Sequence, residues 1–322
     1  MTFIIIYIMI SIEKINEAHK RINSFIHRTP ILKSTSLNIL SGSDLYFKCE
    51  NFQKAGSFKI RGALNTVSLL SKTELKKGIS TTSSGNHGAA LSMAGKMIGV
   101  AVTVVMPNNS PNVKVENVER NGGKIIWCDP NQQSREKTLR DIVKKTGSTV
   151  VHPYNDNRII AGQGTVAKEM LEDIPNLDAI VSPISGGGLL SGILCFSKQQ
   201  SSKIKVYGAE PIEADDAYKS VKAGKIIPNK STNTICDGLR AQIGSKTFPI
   251  VSNMCDQIIR LNEDEIIDSM KMIWDRMKII VEPSCSIALA AILKNKHLFQ
   301  GKKVGVVLSG GNVNLEQIPW TV

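Results

Sequence analysis

Cysteine is scarce in this sequence and follows no disulfide or metal-binding pattern. The six cysteines lie at positions 49, 128, 195, 236, 255 and 285 of a 322-residue chain, and no two of them form a C-x-x-C pair. No histidine stands at zinc-finger spacing from them. The count is also far below that of a disulfide scaffold. We therefore expect reduced thiols that serve in packing, in a cytoplasmic protein.

Long apolar runs are missing as well. The one apolar stretch, residues 1–10, is half as long as the roughly twenty residues that a membrane span requires. It also lacks the basic region and the cleavage site of a secretory signal. We expect no membrane partner, and we expect this stretch to be a strand or an arm that packs on the body of the protein or on a second subunit.

Runs of basic residues and aromatic residues are few, although the chain is basic overall. Lys and Arg number 40 against 28 Asp and Glu, which gives a net charge of +12, but aromatics make up only 5%. A nucleic-acid surface usually combines a basic stripe with stacking rings. We expect no nucleic-acid partner and keep such a binder as the most distant alternative.

What the chain does have is a steady alternation of apolar strands and helices. Strand patterns at 100–107 and 178–184 are followed by helical patterns at 114–122 and 188–200. Such alternation predicts a mostly parallel α/β sheet. Two such runs predict two open sheets, with ligands at the carboxyl ends of the strands.

Three glycine-containing turns follow apolar strands: SSGNHG at 83–88, SGGGLLSG at 185–192 and LSGGN at 308–312. A glycine turn that leads into a helix presents free backbone N–H groups to an anion. The second turn nearly matches the dinucleotide motif G-x-G-x-x-G, but Ser191 stands at its third glycine, and Glu210 follows where a ribose-binding acid would lie. A nicotinamide oxidoreductase is therefore an alternative, whereas no Walker A motif exists.

Lys59 is the residue that changes the balance between these alternatives. It lies in KAGSFKIRGA (54–63), between Phe58 and Ile60, with glycines on both sides. An isolated lysine is usually a solvated surface group. A desolvated lysine has a lowered pKa and can hold an aldehyde covalently. An aldehyde cofactor that carries a phosphate would need one such lysine and one phosphate-binding turn.

GSFKIRGA, SSGNHG, SGGGL and LSGGN together resemble the signature segments of fold-type II pyridoxal-phosphate enzymes, in particular the serine racemase and serine/threonine dehydratase family. The resemblance runs from about residue 12 to residue 316. It implies two open, mostly parallel sheets flanked by helices, and an active site between two domains. Residues 1–80 and 156–322 would form the large domain, and residues 81–155 the small one. It also implies a homodimer.

The resemblance assigns a role to each residue of the site. Lys59 would hold pyridoxal 5'-phosphate and act as a base on one face of it. The cofactor would further contact Phe58, Asn86, Gly186, Gly187, Gly188, Leu189, Gly238 and Ser309. The substrate would be held by Ser83, Ser84, Gly85, Asn86, His87 and Arg135. Because a hydroxyl such as Ser309 cannot keep the pyridine nitrogen protonated as a carboxylate would, such a site suits racemisation and β-elimination.

Two features separate the branches of this family. Dehydratases of the threonine type commonly carry alanine at the position of Ser84, whereas racemases carry serine, which supplies a second acid/base opposite Lys59. The segment GAEPIEADDAY (208–218) resembles the cation loop of racemases. Glu210, the carbonyl of Ala214 and Asp216 would bind Mg²⁺ or Ca²⁺, which prefer oxygen. The alternatives are a turn-stabilising serine and a solvated acidic loop.

Other positions bear on the substrate and on regulation. Arg135 matches a racemase arginine near the substrate entrance and could bind a second carboxylate, which opens 3-hydroxyaspartate as a substrate; the alternative is a surface arginine. Tyr154 stands where animal racemases have asparagine and is closer to the dehydratases. Ala55 and Ala89 replace polar residues of the nucleotide site in animal racemases, which puts ATP activation in doubt.

We therefore expect an enzyme that interconverts L- and D-serine and also eliminates water from serine. The alternative within the same chemistry is an L-serine/L-threonine or 3-hydroxyaspartate dehydratase with little racemase activity.

Overall fold

The computed structural model describes residues 10–320, which form two sheets and the helices around them. The apolar stretch at 1–10 therefore lies outside the described residues except for Ile10. That residue is buried, and its carbonyl accepts a hydrogen bond from Gln199 Nε2 at 2.8 Å. None of the described helices is both long enough and apolar enough to cross a membrane.

The larger sheet has six strands in the order β1-β2-β10-β7-β8-β9. All its pairs are parallel except β1 with β2. Its strands are β1 (Ile31–Leu32), β2 (Asp44–Cys49), β7 (Ala179–Pro183), β8 (Lys205–Pro211), β9 (Gln257–Leu261) and β10 (Lys303–Leu308). Because β10, β7 and β8 are parallel neighbours, the segments that follow them meet at one edge of the sheet.

The smaller sheet has four parallel strands in the order β5-β4-β3-β6. They are β3 (Ile79–Thr82), β4 (Val102–Pro107), β5 (Lys124–Cys128) and β6 (Thr149–Val150). The prediction of two open, mostly parallel sheets is confirmed. The division into domains at 1–80, 81–155 and 156–322 stays a prediction.

The helices pack on the faces of both sheets. They are α1 (Ile12–Ile22), α2 (Thr35–Ser41), α3 (Lys59–Val67), α4 (Lys72–Lys77), α5 (Asn86–Ile98), α6 (Asn112–Arg120), α7 (Gln132–Thr146), α8 (Asn157–Asp173), α9 (Gly188–Gln200), α10 (Asp216–Ala223), α11 (Thr247–Met254), α12 (Glu263–Met277), α13 (Pro283–Lys294) and α14 (Lys296–Phe299). Three buried apolar clusters form the core, two on the larger sheet and one beneath the smaller sheet.

Local signals explain where several helices begin and end. The Asn131 side chain accepts the backbone N–H of Ser134 and caps the start of α7, and Gly147 ends that helix in the left-handed region at φ 68°. At α12, Asn262 and Glu265 form a reciprocal capping box.

A buried ionic cluster fixes α3, the helix that begins at Lys59. Arg61 is fully buried and pairs with Glu50 and Glu169 through N–O distances of 2.7–2.8 Å. Its fifth N–H donates to Thr165 Oγ1 at 3.1 Å, and Lys48 Nζ donates to Glu169 at 2.7 Å. Every guanidinium hydrogen therefore has an acceptor, as a buried charge requires. The cluster joins β2, α3 and α8.

Candidate active site

One cavity of about 750 Å³ lies where the segments after β3, β7 and β10 meet. All the residues expected to contact the cofactor or the substrate line it: Phe58, Lys59, Ser83, Ser84, Gly85, Asn86, His87, Arg135, Gly186, Gly187, Gly188, Leu189, Gly238 and Ser309. The structure thus brings together residues that are up to 251 positions apart in the chain, Phe58 and Ser309. Their individual roles stay predictions.

The glycine turn after β7 has the shape of an anion-binding site. Gly187 adopts φ +87°, which disfavours other residues, and Gly188 begins the 13-residue helix α9. A Cβ atom at Gly186 would lie 2.4 Å from the Tyr154 ring, and one at Gly188 would lie 2.9 Å from Tyr154 Cβ. The turn thus packs closely against Tyr154, and its residues line the cavity at the start of α9, where free backbone N–H groups can hold a phosphate.

Lys59 extends into this cavity from the first residue of α3. Its Nζ lies 3.4 Å from the carbonyl oxygen of Pro153 and 5.1 Å from the centroid of the Phe58 ring. Burial lowers the pKa of Lys59 to about 8, although the nearby Glu282 carboxylate opposes this shift. A larger fraction of the amine is therefore neutral, and hence nucleophilic, near neutral pH.

The turn after β3 presents Ser84 to the cavity and leads into α5. The Ser83 hydroxyl stabilises the turn, because it accepts the backbone N–H of Gly85 at 3.3 Å and that of Gly88 at 3.1 Å. Burial lowers the pKa of His87 to about 3, so its ring is neutral, and Nε2 contacts the Val151 carbonyl at 3.2 Å. Ser84 is half-buried and lines the cavity.

Ser309 and Gly238 lie on the wall of the cavity behind this turn. Ser309 follows β10 and is nearly buried, and its carbonyl accepts the backbone N–H of Phe58 at 3.1 Å. The Gly238 N–H donates to Ser284 Oγ at 2.9 Å. A Cβ at Gly238 would lie 2.9 Å from that same oxygen, so a larger residue here would displace the Ser284 hydroxyl.

Arg135 lies at the α6–α7 side of the cavity. It is half-buried, and its Nε is buried without a hydrogen-bond partner. Lys114, on α6, forms an ion pair with Asp237 on the opposite wall. The unpartnered Nε of Arg135 can therefore donate to an anionic group in the cavity.

The three expected cation ligands lie outside this cavity, where β8 leads into α10. Glu210 accepts the backbone N–H groups of Ala217 and Tyr218, both at 2.9 Å. Asp216 accepts the N–H of Ile243 and an N–H of Asn229, both at 2.7 Å. Glu210 is therefore not the ribose-binding acid of a dinucleotide site, because both its oxygens accept backbone N–H groups and it lies outside the cavity.

Burial raises the pKa of Asp216 to about 6 and raises the pKa of Glu210 above its usual value, in part because Asp216 lies close by. Two buried carboxylates that repel each other are more stable with a cation between them. Within residues 10–320, no three His, Cys, Asp or Glu side chains converge as a metal cluster. A cation would therefore need the Ala214 carbonyl or water as further ligands.

Sequence reasoning gave no role to several residues of this cavity, among them Glu282 and Asn312. Both contact the Asn86 side chain. Asn312 is the last residue of the LSGGN segment and could have been found there. Glu282 precedes α13 and carries no motif, so only the fold reveals it.

Comparisons with known proteins agree with this geometry. A family model described as "Pyridoxal-phosphate dependent enzyme" matches residues 22–310. The chain is 51% identical over 306 residues to a serine racemase of Arabidopsis thaliana, and this alignment covers 94% of this chain and 92% of that protein. It is 47% identical to a beta-hydroxyaspartate dehydratase of Paracoccus denitrificans, with 94% of this chain and 96% of that protein covered. The solved structure of maize serine racemase superimposes with a TM-score of 0.93 at 46% identity, over 95% of this chain and 94% of that one.

Proposed function

The chain belongs to the pyridoxal-phosphate-dependent enzymes, and we propose that it interconverts L- and D-serine and also eliminates water from serine to give pyruvate and ammonia. The observation that carries this proposal is that the Lys59 amine and the Ser84 hydroxyl line one cavity together with the glycine turn. Two proton carriers and one phosphate site are what racemisation on this cofactor requires.

The residues present fit the cofactor. Gly186, Gly187, Gly188 and Leu189 would hold its phosphate, and Lys59 its aldehyde carbon. Asn86 would face its ring hydroxyl and Ser309 its ring nitrogen. When bound, the cofactor supplies an electron-withdrawing ring that stabilises negative charge at the Cα of the amino acid.

The protein's own groups would then hold the substrate and move its proton. The backbone N–H groups at the start of α5 would bind the substrate carboxylate, since a helix start favours an anion. Lys59, as a neutral amine, would take the Cα proton on one face. Ser84 would return a proton on the opposite face. Exchange of these two roles would carry D-serine back to L-serine.

A second candidate is a dehydratase that acts on serine, threonine or 3-hydroxyaspartate. Two observations favour it: the Nε of Arg135 has no hydrogen-bond partner, and a dehydratase is among the relatives. A guanidinium can bind the second carboxylate of 3-hydroxyaspartate through two parallel hydrogen bonds. Elimination needs no second proton carrier on the Ser84 side, so both activities can start from the same proton removal by Lys59.

Product analysis distinguishes the two candidates. Purified enzyme incubated with L-serine is expected to form D-serine, measured by chiral chromatography, beside pyruvate in a coupled assay. Elimination of water from 3-hydroxyaspartate would instead give oxaloacetate and ammonia, and an oxaloacetate assay of the wild type and of Arg135→Ala tests whether Arg135 binds the second carboxylate of that substrate. Pyruvate without any D-serine would establish the dehydratase and reject the racemase.

We also propose that Glu210, Asp216 and the Ala214 carbonyl bind Mg²⁺ or Ca²⁺. The buried and mutually repelling carboxylates support this proposal. A cation that binds only the folded chain stabilises it, by about 2.7 kcal/mol at roughly 100 times its Kd. Chelator should lower the melting temperature, and added Mg²⁺ or Ca²⁺ should restore it.

The double variant Glu210→Ala/Asp216→Ala should lose this response. Glu213→Ala, which removes an exposed acid from the same turn, is the matched control and should keep it. If the double variant responds to chelator as the wild type does, the cation binds elsewhere.

A cytoplasmic homodimer completes the proposal. Phe52 and Ile280 are exposed apolar residues, and the Asn51 side chain next to Phe52 bonds the Ile280 carbonyl at 3.0 Å, so the two lie on one side of the molecule. An exposed apolar patch favours contact with another subunit.

A further inference from the structure

Three polar side chains form a hydrogen-bonded chain along one wall of the cavity. Asn312 Nδ2 donates to Asn86 Oδ1 at 2.8 Å. Asn86 Nδ2 donates to the two carboxylate oxygens of Glu282, at 2.8 and 3.1 Å. Asn312 Nδ2 also donates to the Ala55 carbonyl at 2.8 Å. These hydrogen bonds thus join the loop before Lys59, the start of α5 and the start of α13.

This arrangement leaves the Asn86 side chain one orientation. The oxygen and the nitrogen of a carboxamide have nearly the same shape, so its partners decide which end faces which way. The Ala55 carbonyl can only accept, and it therefore fixes the NH₂ group of Asn312. Asn86 must then turn its oxygen toward Asn312 and its NH₂ group toward Glu282.

Glu282 is suited to receive that NH₂ group. It is almost fully buried, and its backbone N–H donates to the Gly310 carbonyl at 3.1 Å, which ties it to the segment after Ser309. Burial raises the pKa of Glu282, with the Asp237 carboxylate adding to the effect. In either protonation state at least one of its oxygens remains an acceptor for Asn86.

We propose that Asn312 and Glu282 are positioning residues that orient the Asn86 carboxamide so that its NH₂ group can donate to the ring hydroxyl of pyridoxal phosphate. The inference rests on the proposed function, in which Asn86 faces that hydroxyl. An amide nitrogen carries two hydrogens, and one of them suffices for the shared contact with Glu282. A donor at the ring oxygen stabilises its ionised form, whereas the carbonyl end of Asn86 would disfavour it.

The test replaces the NH₂ group of Asn312 with an oxygen atom. Asn312→Asp has the same shape but no NH₂ group, so its carboxylate repels Asn86 Oδ1 and drives the carboxamide to turn over. Purified apoprotein titrated with pyridoxal phosphate should bind it roughly tenfold more weakly, as expected for one lost hydrogen bond to a charged group. The absorption of the bound cofactor should move from about 410 nm to shorter wavelength.

Further variants separate the orientation of the Asn86 carboxamide from the stability of the folded protein. Asn312→Ala loses the same bond to Ala55 but does not repel Asn86, so its spectrum should change less than that of Asn312→Asp at a similar melting temperature. Glu282→Gln keeps an acceptor and should retain the wild-type spectrum, whereas Glu282→Met lacks one and should not. Asn253→Asp adds the same charge at an exposed position and serves as the control.

Each outcome decides the matter. A wild-type spectrum and affinity in Asn312→Asp, or equal spectral changes in Asn312→Asp and Asn312→Ala, would overturn the inference and leave the proposed function intact. If Asn312→Asp does not fold, the Glu282→Gln and Glu282→Met pair carries the test by the same spectral criterion. Failure of the wild type itself to bind pyridoxal phosphate would instead reject the proposed function.

Discussion

Lys59→Ala is expected to abolish the covalent attachment of pyridoxal phosphate and to remove activity toward both serine enantiomers. Lys59 lines the cavity together with the glycine turn. Its loss removes both the attachment point and the base that takes the Cα proton. The loss of one general base alone costs roughly 10²–10⁴-fold in rate. The wild type should show an absorption band at about 410 nm that borohydride removes, and the variant should lack it.

The matched control is Lys54→Ala, which removes a lysine from the same loop but outside the cavity. It should keep both the band and the activity. Borohydride reduction followed by peptide mass spectrometry should place the cofactor on the peptide that contains Lys59. A colourless wild type that binds a nicotinamide dinucleotide would contradict the proposed chemistry.

The pKa of Lys59 gives this prediction a pH dependence. Only the neutral amine can attack the cofactor aldehyde, and burial lowers the pKa of Lys59 to about 8. Below that value the amine is mostly protonated. The rate of cofactor uptake by the apoprotein should therefore rise as the pH increases through about 8 and level off above it, rather than near the usual lysine value of about 10.4.

Much of the fold could be predicted from the sequence because apolar strand segments alternate along the chain with helical patterns, as they do in parallel α/β sheets. The start of α8 shows where this approach fails. The sequence pattern predicts a helix over 164–174, but α8 begins at Asn157. Gly162 and Gly164 read as helix breakers, yet they lie inside the helix because a Cβ at Gly162 would be 2.6 Å from Gly62 Cα. Close contact between helices, which no local pattern shows, outweighs the low helix propensity of glycine.

The strand β9 was missed for a related reason. Its sequence QIIRL is short and lacks clear alternation, and it becomes a strand because it pairs with β8 at the sheet edge. The cavity was easier to anticipate than its supports. Lys59 and the glycine turns carry motifs, whereas Glu282 acts only through its position beside Asn86. A tertiary neighbour of this kind leaves no signal in the local sequence.

Ser84→Ala is expected to abolish the formation of D-serine while elimination from L-serine survives at least in part. Racemisation needs a proton donor on the face opposite Lys59, and in the proposed mechanism the Ser84 hydroxyl is that donor. Elimination from L-serine begins with proton removal by Lys59 alone. Elimination from D-serine begins on the Ser84 side and should be lost together with racemisation, by roughly 10²–10⁴-fold.

Ser83→Ala is the comparison that separates acid/base chemistry from turn stability. The Ser83 hydroxyl accepts the N–H groups of Gly85 and Gly88, so its removal should lower the melting temperature and weaken the binding of both enantiomers alike. The measurement is the ratio of D-serine to pyruvate formed from L-serine, by chiral chromatography and a coupled assay. That ratio should collapse in Ser84→Ala and stay near the wild-type value in Ser83→Ala. If Ser84→Ala still racemises at nearly the wild-type rate, Ser84 only stabilises the turn, and the second proton carrier must be another group in the cavity.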